Sequence, residues 1–255
     1  MPTSAREQLG SRLRDLRLRA GLSGDALAAK LGLTQSKVSR VETGRSLPNL
    51  GEVRKWAAAT KASDEELHEL AGLVEQVATT TVSWRILHQL GLAEKQHEIA
   101  ELERQALHIQ TFQPTMVPGL LQTADYARRV IELAYQPGNV AQAVAARVER
   151  QTILYETSKR FDFLLTEGAL GWEPGPVMDA QRDRLQSVAT LPNVTLSVTT
   201  AAFPYLHPFV IWQLEDETLV TVETYSAELQ VREPEDVERY SEVWRRLSDR
   251  ARRLY

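Results

Sequence analysis

The sequence predicts an all-α domain of five helices at residues 1–78, followed by an α+β domain at residues 108–255 with a small mixed or antiparallel sheet flanked by helices. Up to residue 78, apolar residues recur every three or four positions, which is the period of amphipathic helices. Beyond residue 107, short stretches rich in β-branched and aromatic residues alternate with helical stretches, as expected of strands and helices in one domain. Residues 79–107 predict a linker and a connecting helix.

A helical hairpin is predicted between Leu22 and Arg45. Ser23 and Thr34 are the expected N-caps, because a hydroxyl can accept a hydrogen bond from a free amide at a helix start. Gly32 is expected to end the first of the two helices, since glycine adopts a left-handed conformation without a Cβ clash. The inward-facing residues of the hairpin are Leu27, Leu31, Val38 and Val41.

Three further helices complete the first domain. Leu9, Leu13, Leu16 and Ala20 mark an amphipathic helix over roughly 5–20, ahead of the hairpin. After the hairpin, the fourth helix is marked by Leu50, Val53, Trp56 and Ala57. Ser63 and Glu66 form a capping box that opens the fifth helix. The inward residues of that last helix are Leu67, Leu70, Val74 and Val77.

The outward face of the second hairpin helix is polar and basic, with Gln35, Ser36, Lys37, Ser39 and Arg40. A helix held at a sharp turn by a second helix can enter the major groove of DNA. There an amide can bind adenine, and arginine or lysine can bind guanine. The alternative is an ordinary helical hairpin with a solvated face.

Charge is distributed unevenly along the chain. Residues 1–60 hold 11 Lys and Arg against 5 Asp and Glu, which leaves +6. The remaining 195 residues hold 19 against 29, which leaves −10. A basic first domain on an acidic second domain favours phosphate binding by the first alone.

Composition excludes several classes of protein. Hydrophobic residues make up 43% of the chain and charged residues 25%, as in an ordinary globular protein. Cysteine is absent, which excludes disulfides and thiolate metal sites. There is no run of about 18 apolar residues and no signal peptide, so we expect a cytoplasmic protein.

Three segments of the first domain resemble the XRE (lambda/Cro-like) family of helix-turn-helix regulators: residues 18–23, 33–45 and 47–50. The resemblance implies a lambda-repressor-like fold whose third helix reads bases in double-stranded DNA. It places the base-reading residues at Gln35, Ser36, Lys37 and Arg40. It places contacts to the DNA backbone at Ser23, Ser39, Arg45, Ser46 and Asn49.

The same resemblance implies a structural ion pair between Arg17 and Glu42, which would hold the first helix against the recognition helix. One position departs from the family. Members often carry glutamine at the second residue of the second helix, where it binds phosphate, and this chain has Gly24. The loss of that contact predicts a modest affinity for each half-site.

The second domain is similar to an uncharacterised domain that follows XRE domains in many actinobacterial, Streptomyces-type regulators. The similar segments are residues 108–135, 144–154, 161–170 and 191–198. By resemblance, such regulators are often encoded beside a small companion protein. That protein is a candidate partner, as is a small-molecule effector.

The pattern of the second domain predicts its elements in order. Helices are expected over 94–107, 139–156 and 176–190, with another after Thr123 and a last one beginning at Pro234. Strands are expected near 108–117 and over 161–166, 193–199, 209–215 and 219–224, the last two forming a hairpin. The expected inward positions are Val140, Val144, Val148, Ile153, Val237, Tyr240, Trp244, Leu247 and Ala251.

A ligand pocket is one interpretation of the polar and aromatic residues near the strand ends. Its candidate residues are Glu167, Trp172, His207, Trp212 and Glu223, with Phe203, Tyr205, Phe209 and Tyr225 as further aromatic walls. The alternative is that the aromatic residues fill the core between sheet and helices. An acid/base site of Glu167, Glu223 and His207 is conceivable, but no catalytic motif accompanies it, so no catalytic residue is predicted.

Neither a metal nor a cofactor is predicted. His88, His97 and His108 lack the spacing of a helical zinc site. The sequence as a whole predicts a regulator of transcription that acts as a homodimer on a palindromic operator and is controlled through its second domain. The alternatives are a toxin–antitoxin-like interaction module with a DNA-binding head, and an enzyme with such a head.

Overall fold

A computed structural model describes residues 5–83, 92–134, 139–171, 176–201 and 204–255. The chain divides into two compact units. The first comprises Met1–Thr80 with Gln230–Asp236, and the second comprises Thr81–Leu229 with Val237–Tyr255. Each unit is described separately below.

Over its described residues, the first unit contains five helices: α1 (Ala5–Arg19), α2 (Gly24–Leu31), α3 (Gln35–Glu42), α4 (Leu50–Thr60) and α5 (Asp64–Ala78). Their predicted apolar faces meet in one core, which includes Leu9, Leu13, Leu27, Val38, Val53, Trp56 and Leu70. The Trp56 Nε1–H donates to the Leu13 carbonyl at 3.1 Å, so the largest core side chain also satisfies its polar atom. Ala20 is exposed, beyond the end of α1, and was wrongly predicted to face inward.

The helices of this unit begin and end at the expected residues. Ser23 and Thr34 accept hydrogen bonds from the first turns of α2 and α3. Gly32 ends α2 with a φ of 70°, a left-handed conformation that favours glycine. Ser63 and Glu66 exchange hydrogen bonds as a capping box at the start of α5.

The second unit packs helices against a mixed sheet. The helices are α6 (Leu92–Gln105), α7 (Ala124–Ala134), α8 (Val140–Arg150), α9 (Glu167–Leu170), α10 (Pro176–Val188) and α11 (Pro234–Ser248), whose first three residues are grouped with the first unit. Thr123 caps α7, with its hydroxyl 3.3 Å from the Tyr126 amide. The main core of this unit is formed by strand and helix residues that include Ile109, Phe161, Phe163, Met178, Leu185 and Trp212.

The strands are β1 (Thr79–Ser83), β2 (His108–Gln113), β3 (Arg160–Thr166), β4 (Val194–Thr199), β5 (Phe209–Gln213), β6 (Thr218–Glu223), β7 (Ala227–Val231) and β8 (Ala251–Arg253). They follow the order β1-β7-β6-β5-β2-β3-β4-β8. Strands β2, β3 and β4 are parallel, whereas β5 pairs antiparallel with both β2 and β6. The sheet is therefore mixed.

The structure corrects the predicted helix over 139–156. Helix α8 ends at Arg150 and continues as a 3-10 turn, Gln151–Tyr155. Val148, predicted to face inward, is 39% exposed, and Arg147 lies inward at 8%. The reason is polar: Arg147 Nη1 donates to Gln122 Oε1 at 2.9 Å. A hydrogen bond to Gln122, 25 positions earlier in the sequence, thus turns Arg147 inward, whereas the apolar pattern alone placed Val148 there.

The end of the chain also differs from the prediction. Ala251 was placed on the final helix, but α11 ends at Ser248. Ala251 instead belongs to strand β8, where it pairs with Thr199 of the neighbouring strand β4. The strands β1, β7 and β8 were not predicted.

Lys159 holds the end of α6 against β3. Its Nζ donates to the carbonyl oxygens of Glu103, Arg104 and Ala106 at 3.2, 2.7 and 2.7 Å. The side chain is 7% exposed, so water does not readily replace these hydrogen bonds. A cation at a helix C-terminus also interacts favourably with the helix dipole.

We therefore predict that Lys159→Met lowers the free energy of unfolding by about 2–4 kcal/mol, because buried carbonyl oxygens lose a charged donor. Urea denaturation followed by circular dichroism measures the change. Arg128→Met is the matched control, since Arg128 is exposed on α7. Equal stabilities for the two variants would contradict this role of Lys159.

Candidate nucleic-acid interface

Helix α3 presents a polar face held in place by a buried apolar one. Val38 and Val41 are each 1% exposed and anchor the helix in the core. Gln35, Ser36 and Ser39 are exposed on the opposite side. The Thr34 hydroxyl accepts the Lys37 amide at 3.1 Å and fixes the first turn. Amide, hydroxyl and cationic groups thus project from one side of a helix whose other side is buried in the core.

Three of the four predicted base readers, Ser36, Lys37 and Arg40, form side-chain hydrogen bonds within the unit. Arg40 Nη1 donates to Ser36 Oγ at 2.6 Å, one helical turn away. Lys37 Nζ donates to Ser46 Oγ at 2.9 Å, which links α3 to the following loop. Hydroxyl partners within the unit therefore orient both cations.

Ser46 does not lie where a phosphate contact needs it. The residue is only 3% exposed and its hydroxyl receives the Lys37 hydrogen bond. Burial removes it from the surface that a DNA backbone could reach. Ser46 is better described as the residue that positions Lys37, a role that the sequence did not indicate because the two residues are nine positions apart.

The other predicted backbone residues stay near the surface. Ser23, Ser39 and Arg45 are exposed and Asn49 is half-buried. Asn49 caps α4, with its Oδ1 accepting the Glu52 amide at 2.8 Å. Ser23 caps α2 in the same way through the Ala26 amide at 3.1 Å. Helix N-termini favour anions, so both caps stand where phosphate would be stabilised.

The side chain of Gln35 lies beside Gly24. A Cβ built on Gly24 would stand 3.6 Å from both Cγ and Nε2 of Gln35, which is ordinary contact. The start of α3 therefore packs against the start of α2 at the position where this chain departs from the XRE pattern.

Arg17 and Glu42 form a bidentate ion pair between α1 and the end of α3. Arg17 Nε and Nη2 donate to the two Glu42 oxygens at 2.5 and 2.7 Å, and Nη1 donates to the Leu22 carbonyl at 2.9 Å. The side chains are 12% and 9% exposed. The hydrogen bonds that Arg17 donates to the Glu42 carboxylate raise the pKa of Arg17 against the opposing effect of burial. One guanidinium thus joins α1, the loop before α2, and α3.

The remaining arginines of α1 contribute less free charge than their number suggests. Arg12 pairs with Glu69 at 2.9 Å and Arg19 with Glu66 at 2.5 Å, both across to α5. Within the described residues, no ion pair is seen for six exposed cations of the first unit: Arg14, Lys30, Arg45, Arg54, Lys55 and Lys61. These cations keep exposed positive charge on the surface of the first unit.

The described candidate pocket residues of the second unit do not form one pocket lining, although His207 contacts Phe209. Trp212 is 5% exposed and belongs to the main core, where its Nε1–H donates to Thr221 Oγ1 at 2.9 Å. It fills the core and is not a pocket wall. Trp172 and Phe203 lie outside the described residues, whereas Tyr205 and Tyr225 are exposed.

The carboxylates considered for acid/base chemistry are also apart. Glu167 follows β3 and lies 3.6 Å from Arg252. Glu223 ends β6, and the order β6-β5-β2-β3 separates the two strands by about 14 Å at ordinary strand spacing. His207 contacts Phe209 and Tyr240 edge-on, and burial lowers its pKa. The three groups therefore do not form one catalytic set.

Within residues 5–83, 92–134, 139–171, 176–201 and 204–255, no three His, Asp or Glu side chains stand close enough to hold a metal ion. Over the same ranges, no helix is both long and apolar enough to span a bilayer.

Comparison with known families matches both parts of the chain. Residues 8–70 match a family described as a helix-turn-helix domain. Residues 96–253 match a family described as a domain of unknown function, DUF5753. No curated protein matches the chain.

Three solved structures are similar to parts of the chain. The restriction-modification controller protein C.AhdI from Aeromonas hydrophila is 39% identical over 24% of this chain and 94% of its own, with a TM-score of 0.23. An HTH_3 family transcriptional regulator from Vibrio cholerae is 22% identical over 31% and 48%, with a TM-score of 0.25. The archaeal chromatin protein TrmBL2 is 14% identical over 79% and 64%, with a TM-score of 0.35.

The Arg17–Glu42 pair leads to a prediction about stability. Arg17→Met should lower the free energy of unfolding by about 2–3 kcal/mol, somewhat less than a fully buried pair, because the Glu42 carboxylate loses its partner where water is scarce. Thermal denaturation measures the loss. In the double variant Arg17→Met/Glu42→Leu, most of the stability should return. If the single and double variants are equally unstable, the ion pair is not the cause.

Proposed function

The chain belongs to the DUF5753 family and carries a helix-turn-helix domain ahead of the DUF5753 domain, and from this premise we propose that it is a sequence-specific DNA-binding regulator of transcription. It acts in the cytoplasm as a homodimer on a palindromic operator. A small ligand or a small companion protein controls it through the second domain.

The seating of α3 supports DNA reading. Two buried valines and the Arg17–Glu42 pair fix the helix, while its opposite face offers an amide, hydroxyls and two cations. Gln35 and Arg40 are the strongest candidates for direct base contacts, because glutamine suits adenine and arginine suits guanine. Ser36 and Lys37 complete the reading face, Ser36 by orienting Arg40.

Phosphate contacts surround this face in the proposed complex. Ser23 and Asn49 offer capped helix N-termini, and Ser39 and Arg45 offer exposed donors. Such contacts set the position of the protein on DNA and carry little sequence information. Ser46 is left out of this set because it is buried.

The small size of the reading face supports dimerisation. One recognition helix contacts few bases, so two helices about 34 Å apart are needed for a specific site. Val148 on α8 and Leu133 on α7 are 39% and 59% exposed, and these apolar groups make the two helices candidates for the dimer contact. Helix α11 is a weaker candidate, since Val237, Trp244 and Leu247 are turned into the protein.

The rival functions differ in what they would show. An interaction module of a toxin–antitoxin-like pair would form a stable complex with another protein, and its function would not depend on salt. An enzyme would show turnover that is lost at Glu167, Glu223 or His207. The separation of Glu167 from Glu223 across four strands disfavours the enzyme.

Arg40→Ala tests the assignment of the base readers. We predict a loss of about 1–3 kcal/mol in operator binding together with relaxed preference at one base position. Arg54→Ala is the control, because Arg54 is exposed on α4 rather than on the reading face. It should change affinity weakly and leave base preference intact. If Arg40→Ala preserves both affinity and base preference, the assignment fails.

A second experiment tests the dimer. Fluorescence anisotropy compares the full chain with a 1–78 fragment on DNA from the upstream region of its own gene, across a salt series. The proposal predicts far tighter binding by the full chain, with a steep salt dependence and two half-sites. Equal binding by fragment and full chain would contradict dimerisation through the second domain.

A further inference from the structure

Gly10 of α1 lies against the last turn of the recognition helix. The residue is buried, and a Cβ built on it would stand 2.6 Å from the Val41 carbonyl oxygen and 2.9 Å from that of Glu42. Cβ atoms in proteins essentially never lie within 3.0 Å of a non-bonded heavy atom. Both atoms that the added Cβ would meet are backbone oxygens, which cannot move aside as a flexible side chain can. Only glycine therefore permits α1 to lie this close to α3.

A second close approach lies just beyond the end of α3. Gly44 has a φ of 71°, and a Cβ on it would stand 3.3 Å from Glu7 Cα. The backbone of α1 thus meets the end of α3 at Gly10 and meets the turn after it at Glu7. The Arg17–Glu42 pair adds a side-chain contact at the same end.

These contacts act on the geometry of the reading face. Any larger residue at Gly10 must push the helices apart by at least about 0.4 Å, the difference between 2.6 and 3.0 Å. Gln35 lies about 10 Å from Glu42 along the helix axis. Base reading depends on hydrogen bonds of about 2.7–3.2 Å between side chain and base. A shift or tilt of about 0.4 Å at the Glu42 end of α3 therefore changes the distances from the other α3 side chains to the bases.

We propose that Gly10 is a specificity-determining positioning residue: by letting α1 lie directly on the last turn of α3, it sets the depth and tilt at which the recognition helix meets DNA. The inference rests on the proposed DNA-reading function. Gly10 touches no base in this account and acts through the placement of Gln35 and Arg40. It extends the reading site to a residue on another helix.

Gly72 provides a matched control. It is also a glycine inside a helix, α5, but a Cβ built on it meets nothing within 4 Å. Alanine is a far better helix former than glycine, so Gly72→Ala should raise the melting temperature. The two substitutions add the same methyl group, and only one of them adds it against α3.

The experiment selects preferred sites from a randomised DNA library with the full-length wild type, Gly10→Ala and Gly72→Ala. Affinity for the wild-type site is then measured below each melting temperature, with the active fraction set by stoichiometric titration. For Gly10→Ala we expect at least a tenfold loss of affinity and a flattened preference at the positions that Gln35 and Arg40 read. Gly72→Ala should match the wild type. A Gly10→Ala chain with wild-type affinity and preference would overturn the proposal.

Two other outcomes are also decisive. If circular dichroism shows Gly10→Ala unfolded, Arg17→Lys replaces it, since lysine weakens the neighbouring side-chain contact that holds α1 on the end of α3 without inserting an atom. The proposal then requires the flattened preference, and an unchanged preference contradicts it. If the wild type itself selects no DNA sequence, the proposed function fails first, and that result is read before any variant is compared.

Discussion

The bidentate contact between Arg17 and Glu42 is the interaction on which the reading face depends. Helix α3 has only eight residues, and helices this short are unstable by themselves. Its position must therefore come from neighbours, which are the core under Val38 and Val41 and the contact with α1. The caps at Ser23 and Thr34 fix the first turns of α2 and α3 within that frame.

The second unit depends on buried polar contacts of a different kind. Arg150 and Glu103 pair at 2.5 Å with side chains 9% and 3% exposed, and burial raises the pKa of the Glu103 carboxyl. Lys159 and Arg147 bind carbonyl and amide oxygens nearby. These groups connect α6, α8 and β3 around specific partners. Such contacts favour a single packed arrangement over alternatives of similar hydrophobicity.

The sequence predicted the first unit well because its signals are local. N-caps such as Ser23 and Thr34, and the stop at Gly32, are decided by residues within one turn. It predicted less of the second unit, where distant partners decide. Arg147 faces inward because of Gln122, and the arginine-rich β8 is a strand because it pairs with β4. Likewise, nothing local to Ser46 indicates that Lys37 binds it.

The most direct test of the central claim, that the outward face of α3 reads a palindromic site, is selection from a randomised duplex library by the full-length protein. The account predicts enrichment of an inverted repeat whose half-sites are centred about one helical turn, 10–10.5 base pairs, apart. Enrichment of no sequence over the starting library would contradict it. A single unrepeated half-site would retain the reader but contradict the dimer.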